Sequence, residues 1–527
     1  MPLDLPPPLP PQQADAAVLE ERHAVARSQG DVIEIGVGRY TLKISGNTYL
    51  GEDRIRDVVE VGKTPSQVIL LLNALYAAEG YLFVNVEYAR RGNSDTIYVQ
   101  VNEGHLADVE APPELAPYFE KFEGKRGVRK SDLEPMRVLA QIKADRMGRD
   151  VSSEYRIDDS DPEAFTLRLE GEEEPGHDPV TFTTVFGNPG NRFLGRYFGF
   201  ANARIDTPGG DQVGVGYGTA FTGLGDTRNG ESYDNYSLSY STVTTLGLYS
   251  VSASHTEYEV EERFDLDDRE EAEILRLKAS GSQFLYADEK TRWVLEQELQ
   301  YTYSIIEFVS ADPPDLIGQR TQDEEYGAFR LGTTASRSWE LFDRRGSISG
   351  GAGYKRGLGG NVENLVNTGR RTDFNILDAK MTLRYLFPWE LVGSLDLKGQ
   401  KSIDRLVPQD EQWVLGGTDN LSAYLPGILI GDTGAYGRLQ LQLPRWKLFD
   451  RPYRFSLFTE AGTAEFENGP DQSSRSACDA GVKLEAAPAD WLELKLYAAE
   501  GFCESNLDSD FVERNEADLF FNVKAEF

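Results

Sequence analysis

The sequence predicts a mainly β protein, with a C-terminal sixteen-stranded antiparallel transmembrane β-barrel preceded by two small α+β domains. Three observations predict it. The stretch "ADLFFNVKAEF", residues 517–527, sets Ala517, Leu519, Phe521, Val523, Ala525 and Phe527 in one apolar row against Asp518, Asn522, Lys524 and Glu526, broken only by Phe520. That period of two is a strand's, and it recurs in strand-length stretches from about His177 onward. Before that point, two stretches show the same order of strand and helix signals. A strand of about eleven residues at roughly 3.4 Å each, tilted by about 45°, covers about 25 Å, the height of the apolar band on a membrane barrel.

Composition agrees once the period is considered. The chain has 527 residues, too many for one ordinary domain. Hydrophobic residues make up 40% and mean hydropathy is -0.45, an average typical of soluble proteins. Barrel strands lower that average, because polar lumen-facing residues alternate with lipid-facing ones. Tyr 25, Phe 26 and Gly 51 fit aromatic girdles and closely packed strands. A net charge of -33 would repel a phosphate backbone, so no nucleic acid is expected as a partner. No stretch reaches the roughly eighteen apolar residues of a membrane helix, and "VILLLNALYAA", Val68 to Ala78, reads as a buried helix interrupted by Asn73.

Taken in order, residues 1–31 open with "MPLDLPPPLPPQQ", which reads as an exposed Pro-rich arm after a trimmed leader, a spacer rather than a ligand for an aromatic groove. Ala14 to Gly30 is helix-compatible and charged. Residues 32–104 contain "GRYTLKISGNTYL" as strand and turn, two helices in "GEDRIRDVVE" and "TPSQVILLLNALYAAEG", and strands "YLFVNVEYARR" and "DTIYVQVNEG". Thr64 is the expected N-cap of the second helix and Gly80 its stop. Residues 105–175 repeat the order with "HLADVEAPP", "RKSDLEPMRVLAQIKADR", "VSSEYRIDDS" and "AFTLRLEGEEE". Each copy is a β-α-α-β-β module.

Residues 176–527 carry strand signals only. "QVGVGYGTAF" places Val213, Val215, Tyr217, Thr219 and Phe221 opposite glycines and Ala220; "YSLSYST" places Tyr236, Leu238 and Tyr240 opposite serines. "ELVGSLDLKGQ" and "GRLQLQL" set Leu391, Leu395, Leu397 and Leu439, Leu441, Leu443 against charged and amide residues suited to a wet lumen. About 350 residues, at about twenty-two per strand and connection, give roughly sixteen strands. Closure then requires the last strand, ending at Phe527, to pair with the first. The two cysteines, Cys478 and Cys503, flank a turn near Pro488 to Asp490; antiparallel pairing puts them nearly opposite and predicts a disulfide, hence an oxidising compartment.

Chemistry has little support. "VGKTPSQ" lacks the leading glycine of a phosphate loop, since that position is Asp57. The histidines at 23, 105, 177 and 255 have no metal-ligand spacing, and acidic runs such as "EEAE" and "DSDPE" read as solvated loops. No catalytic residue, cofactor or metal is expected.

Four stretches carry a family resemblance: "GRYTLKISGNTYL" with "LNALYAAEGYLFVNV", "FGNPGNRFLGRYFGFANARIDTPGGDQVGVGY", "LGGTDNLSAYLPGILIGDTGAYGRLQLQL" and "FSLFTEAGTAEF". In this order they resemble the hemolysin activator-like outer-membrane transporters of two-partner secretion, in the superfamily that includes barrel-assembly insertases. The resemblance implies that the two modules are periplasmic POTRA domains, and that the third stretch is a long gating loop folded back into the lumen. Its residues would be Leu421, Ser422, Ala423, Tyr424, Gly431 and Asp432. The family's loop tip reads Val-Arg-Gly-Tyr or Val-Arg-Gly-Phe, and here Leu421, Ser422, Ala423 and Tyr424 stand there without the Arg. The lumen Asp of the family is Glu460. With a hairpin turning near Phe449, Arg438 falls opposite Glu460 and offers it another partner.

The resemblance implies a pore in the outer membrane of a Gram-negative bacterium that moves an unfolded secreted exoprotein to the surface without nucleotide, and no enzyme. Outer-membrane lipid and lipopolysaccharide surround it, and the barrel-assembly machinery acts in its biogenesis. Ala14 to Gly30 is then either a helix plugging the lumen, as in some relatives, or a disordered arm. The alternative is an insertase of the same superfamily, which would usually carry more modules and the loop Arg.

Overall fold

The computed structural model describes all residues except 1–2, 159, 192–193, 222–223, 225–231, 262–268, 311–316, 364–368, 404–405, 449 and 467–472, and the side chains of 58–60 and 261. Residues through His177 form the body of one compact unit, and those from Asp178 the body of a second.

In the first unit, the first module is a five-stranded sheet. Its strands are β1 (Gln12–Gln13), β2 (Val32–Val37), β3 (Tyr40–Ser45), β4 (Val84–Arg90) and β5 (Thr96–Glu103), in the order β1-β4-β5-β3-β2. Helices α2 (Glu52–Val61) and α3 (Pro65–Ala78) supply Ile55, Val68, Ile69, Leu72 and Tyr76 to a core with Leu42, Ile44, Val86, Val99 and Val101. Thr64 caps α3, its Oγ1 accepting the Gln67 N–H at 3.4 Å, and Gly80 follows in the left-handed region at φ 86°. Two strands go beyond the β-α-α-β-β reading: β2, which extends the sheet ahead of Gly38, and β1, which the Pro-rich arm contributes.

Helix α1 (Ala16–Gln29) is started by the Asp15 side chain, which accepts the Ala17 N–H at 2.7 Å, and ended by Gly30 at φ 86°. It covers the sheet face opposite α2 and α3, burying Leu19 and His23; His23 lies 3.1 Å from Ser45 Oγ and its ring centroid 5.2 Å from that of Tyr98. Burial pushes the His23 imidazole down to about 4, because desolvation penalises its charged form. Neither sequence alternative for this segment holds: the helix is ordered, and it is packed on the first module's own sheet instead of serving as a plug. An apolar row of Leu19 and His23 at i,i+4 fits any half-polar surface, so the sequence alone does not choose which.

The second module has strands β6 (His105–Glu110), β7 (Arg149–Asp158) and β8 (Asp161–Glu173) in the order β6-β8-β7, with the short α4 (Pro117–Glu120) and α5 (Lys130–Arg146). Phe119, Leu133, Leu139, Phe165 and Leu167 are buried.

The second unit is a closed antiparallel barrel of sixteen strands. These run β9 (Val180–Gly187), β10 (Phe198–Asp206), β11 (Gln212–Ala220), β12 (Ser232–Thr244), β13 (Gly247–Glu261), β14 (Arg269–Ala287), β15 (Thr291–Ser310), β16 (Arg320–Leu341), β17 (Arg344–Val362), β18 (Asn375–Leu386) and β19 (Val392–Ser402). Between β19 and β22 (Thr433–Gln442) a long loop carries β20 (Trp413–Leu415) and β21 (Leu429–Gly431). β22 continues after a break as β23 (Trp446–Leu448) and is followed by β24 (Arg451–Glu465), β25 (Arg475–Ala489) and β26 (Leu492–Ser505). Helix α6 (Ser509–Asn515) and β27 (Leu519–Glu526) end the chain, and β27 closes on β9.

The barrel is inside out relative to a soluble sandwich. Leu238 is 56% exposed and Leu439 58%, on the outer face, whereas Glu460 and Asp479 are 1% and 0% exposed inside. An apolar skin around buried charges is the pattern of a lipid-facing barrel. Phe520, the break in the terminal alternation, points inward and packs with Leu425, Phe458, Tyr497 and Ala517. At the seam, Phe182 and Phe527 exchange backbone hydrogen bonds of 3.0 and 2.9 Å. Cys478 faces Cys503 in the β25–β26 register and is joined to it by a disulfide, with Cα atoms 5.1 Å apart. Pro488 sits in a register shift just ahead of that hairpin's turn, where its missing N–H is tolerated.

Candidate functional site

The loop between β19 and β22 lies within the barrel and is fastened at two places. Its hairpin β20–β21 pairs Trp413 with Gly431 and Leu415 with Leu429. Gly416, Gly417 and Gly427 adopt φ of 119°, 104° and 96°, which allow the chain to double back.

The tip replaces a charged side chain with backbone. Leu421, fully buried, takes φ 69°, a left-handed turn uncommon for a non-glycine residue. That turn aims successive N–H groups at one anionic concavity. The Ser422 N–H donates to Glu460 Oε2 at 2.7 Å, and the Ala423 N–H donates to Asp479 Oδ2 at 2.8 Å. Glu460 and Asp479 are register partners on β24 and β25, so the tip caps two adjacent buried carboxylates. An amide hydrogen bond contributes about 0.5–1.5 kcal/mol to a neutral acceptor and about 1.5–3 kcal/mol to a charged one, so two together hold a short turn. Arg438 faces Glu460 across β22 and β24, with Nη1 at 3.3 Å from Oε1 and 3.4 Å from Asp419 Oδ1, and its guanidinium lies 4.3 Å from the Phe458 ring centroid. The barrel therefore supplies the cation, and the loop supplies amides to the carboxylates and the Asp419 carboxylate to Arg438. Phe449, the expected turn residue, lies outside the described residues.

Tyr424 completes the tip. Its hydroxyl bonds Glu504, and its ring end fills a notch that exists because position 501 is glycine; a Cβ there would overlap the hydroxyl. The Leu425 N–H donates to Asn515 O at 2.7 Å and the Ala517 N–H to Ala423 O at 2.8 Å, tying the tip to the segment before β27. Gly431 and Asp432 stand at the loop's root. A Cβ at Gly431 would meet the Glu465 backbone; Asp432 is buried, and its Oδ1 accepts the Val407 N–H at 3.2 Å.

A second anchor holds the loop's incoming arm against β14 to β17. Asp410 receives two bonds from Arg276, at 2.6 and 3.2 Å. Glu411 receives Lys355 Nζ at 2.7 and 2.6 Å, the Tyr326 hydroxyl at 3.2 Å and Gln300 Nε2 at 3.3 Å. Here the loop is acidic and the wall cationic.

Of the sequence-predicted residues, the structure brings Leu421, Ser422, Ala423, Tyr424, Glu460 and Arg438 into one cluster, with Cys478 beside it through Asp479. Gly431 and Asp432 are elsewhere on the loop, and Phe527 is at the seam. Asp479, Glu504, Gly501 and the Asp410–Glu411 anchor escaped sequence reading. The acidic "QDE" after Pro408 was the one local signal of the second anchor.

Two POTRA-type modules before a closed sixteen-stranded barrel with an inward loop define a POTRA-barrel fold. The sequence matches no family model and no curated protein. Among solved structures, CdiB from Escherichia coli is similar with a TM-score of 0.70 at 15% identity, covering 97% of this chain and 98% of that one. CdiB from Acinetobacter baumannii gives 0.64 at 13% identity, over 97% and 98%. BamA from Haemophilus ducreyi lacking POTRA domains 1-3 gives 0.51 at 14% identity, over 94% and 100%. The chain shares the fold of these proteins.

Proposed function

We propose that the protein is a transporter that passes an unfolded exoprotein through its barrel to the cell surface, with the two modules in the periplasm as the capture site. The observation that carries this reading is the loop: it occupies a polar lumen and is held by hydrogen bonds and ion pairs that can be exchanged for those of a passing chain. Neither binding nor release needs a nucleotide in such a scheme. An extended substrate adds a strand to a module edge through main-chain hydrogen bonds, which demand no particular sequence. Folding outside then prevents return.

One feature favours an insertase as the second reading. The seam register of β27 with β9 covers Thr183–Gly187, with the Phe182–Phe527 bonds just beyond it, whereas β12 and β13 pair along Ser232–Thr244, so the seam is the shorter ladder. Deleting the gene and comparing surface and medium proteins separates the two. Loss of one large secreted protein is the outcome expected of a transporter; a general loss of outer-membrane barrels would overturn that reading in favour of the insertase.

A further inference from the structure

The Pro-rich arm is bound. Leu3 and Pro6 are buried and Leu9 is half-buried, while Asp4, Pro7, Pro8 and Pro10 are exposed. This spacing of three is the turn of a polyproline II helix, which presents one face every third residue. A chain so rich in proline has few N–H groups to give, so the modules supply the donors. Arg137 donates to the Leu3 carbonyl, Ser153 to the Asp4 carbonyl, and Asn73 Nδ2 to the Leu9 carbonyl at 3.0 Å; the Leu3 N–H in turn donates to Gln141. The arm thus runs from α5 and β7 of the second module past α3 of the first. It ends as β1, parallel to β4 with Gln12 beside Glu87 and Gln13 beside Tyr88, and the Ala14 N–H reaches Tyr88 O at 3.0 Å.

Three properties make this surface a receptor for a peptide and the arm its resident occupant. Recognition is by carbonyl oxygens, which every extended chain has. The side-chain requirement is small, two apolar anchors three residues apart. The clasp is weak, since β1 covers only two residues of the seven-residue β4 edge, and Gln12 and Gln13 are themselves exposed. We propose that the surface formed by α5, α3 and the β4 edge binds an extended apolar-spaced segment of the exported polypeptide, and that the arm occupies it until that segment displaces it. The inference rests on the reading of the modules as the capture site.

The test uses the full chain in detergent, intact and lacking residues 1–14, and a fluorescent synthetic peptide of residues 3–14 as the probe. An arm tethered at millimolar effective concentration competes with added peptide, so anisotropy should report binding to the armless chain at least about tenfold tighter than to the intact one. A scrambled peptide without the spacing of three should bind about tenfold more weakly. Leu3→Asp in the intact chain, a change confined to the arm, should move peptide binding toward the armless value. Peptide that fails to bind the armless chain, binds both chains equally, or binds as well when scrambled overturns the proposal.

The partner is tested by adding the exported protein found through the gene deletion, diluted from urea. Competition with the peptide supports the assignment. Peptide binding without competition overturns the partner while leaving the transport reading to stand on the deletion phenotype. If the deletion instead removes barrels generally, the transport reading falls, and the peptide assay still decides whether the arm surface is a receptor.

Discussion

The loop's two anchors solve one problem with opposite polarity. At the tip, neutral amides of Ser422 and Ala423 cap carboxylates that belong to β24 and β25. In the incoming arm, Asp410 and Glu411 carry the charge, and Arg276 and Lys355 on β14 and β17 neutralise it. The difference concerns what release leaves behind. Lifting the tip exposes Glu460 and Asp479 with Arg438 still beside Glu460, so the barrel wall remains partly compensated. Lifting the arm leaves Lys355 and Arg276 without those partners. Leaving a buried charge unpaired costs several kcal/mol, more than losing an amide hydrogen bond. The arm should therefore be the firmer hold and the tip the one that yields first.

The largest expected effect breaks the firmer hold. Glu411→Ala strands the Lys355 ammonium among Gln300 and Tyr326, at a cost of about 3–5 kcal/mol. Single-channel conductance in planar bilayers should rise as the arm leaves the wall. Replacing both partners, Lys355→Met with Glu411→Leu, should recover most of the loss in urea unfolding, because the unpaired charge is gone. An unchanged conductance and urea midpoint in Glu411→Ala would show that the arm is not an anchor.

A smaller effect is expected at the tip. Gly501→Ala places a methyl group where the Tyr424 hydroxyl lies, an overpacking cost of about 1–3 kcal/mol. Channel openings should become more frequent without reaching the Glu411→Ala conductance, since the arm still holds. Tyr424→Phe in the same protein removes the overlapping oxygen and should restore part of the closed time. A Gly501→Ala channel more open than Glu411→Ala would reverse the ranking of the two anchors.

The two anchors were unequally legible, for a physical reason. The tip sits next to a pattern, the place where Arg is usual and Leu421, Ser422, Ala423 and Tyr424 stand, and the register arithmetic across one hairpin reached Arg438 and Glu460. What it missed was backbone: a Leu at φ 69° turning two amides onto carboxylates leaves no mark in residue type. The arm's partners come from β14 to β17, far away in sequence, and only a closed barrel brings them to Asp410 and Glu411. The barrel itself was legible because "QVGVGYGTAF" and "GRLQLQL" alternate with polar residues that face water inside. By contrast, α1 and the Pro-rich arm read as a possible plug and a spacer. Their partners, the β3–β5 face and the β4 edge, have no pattern of their own beyond an ordinary sheet's.

The finest distinction between the anchors is a matter of coupling. Cys478 and Cys503 precede Asp479 and Glu504, respectively, and the β25–β26 register slips beside them, so that Asp479 faces Gly501. The bridge joins strands already paired in a closed barrel, so it constrains little that hydrogen bonds do not. Replacing both cysteines by Ala should cost about 1 kcal/mol or less in urea unfolding, below the 2–4 kcal/mol usual for a disulfide. The informative quantity is the interaction energy. Residues sharing a site are non-additive by about 0.5–3 kcal/mol, whereas sites more than about 10 Å apart and without common partners add. The cysteine pair should therefore couple to Gly501→Ala, whose notch borders the bridge, and add to Glu411→Ala, whose partners are on β15 to β17. Coupling to Glu411→Ala instead would mean that the loop responds as a single rigid body, and the two anchors would then be one.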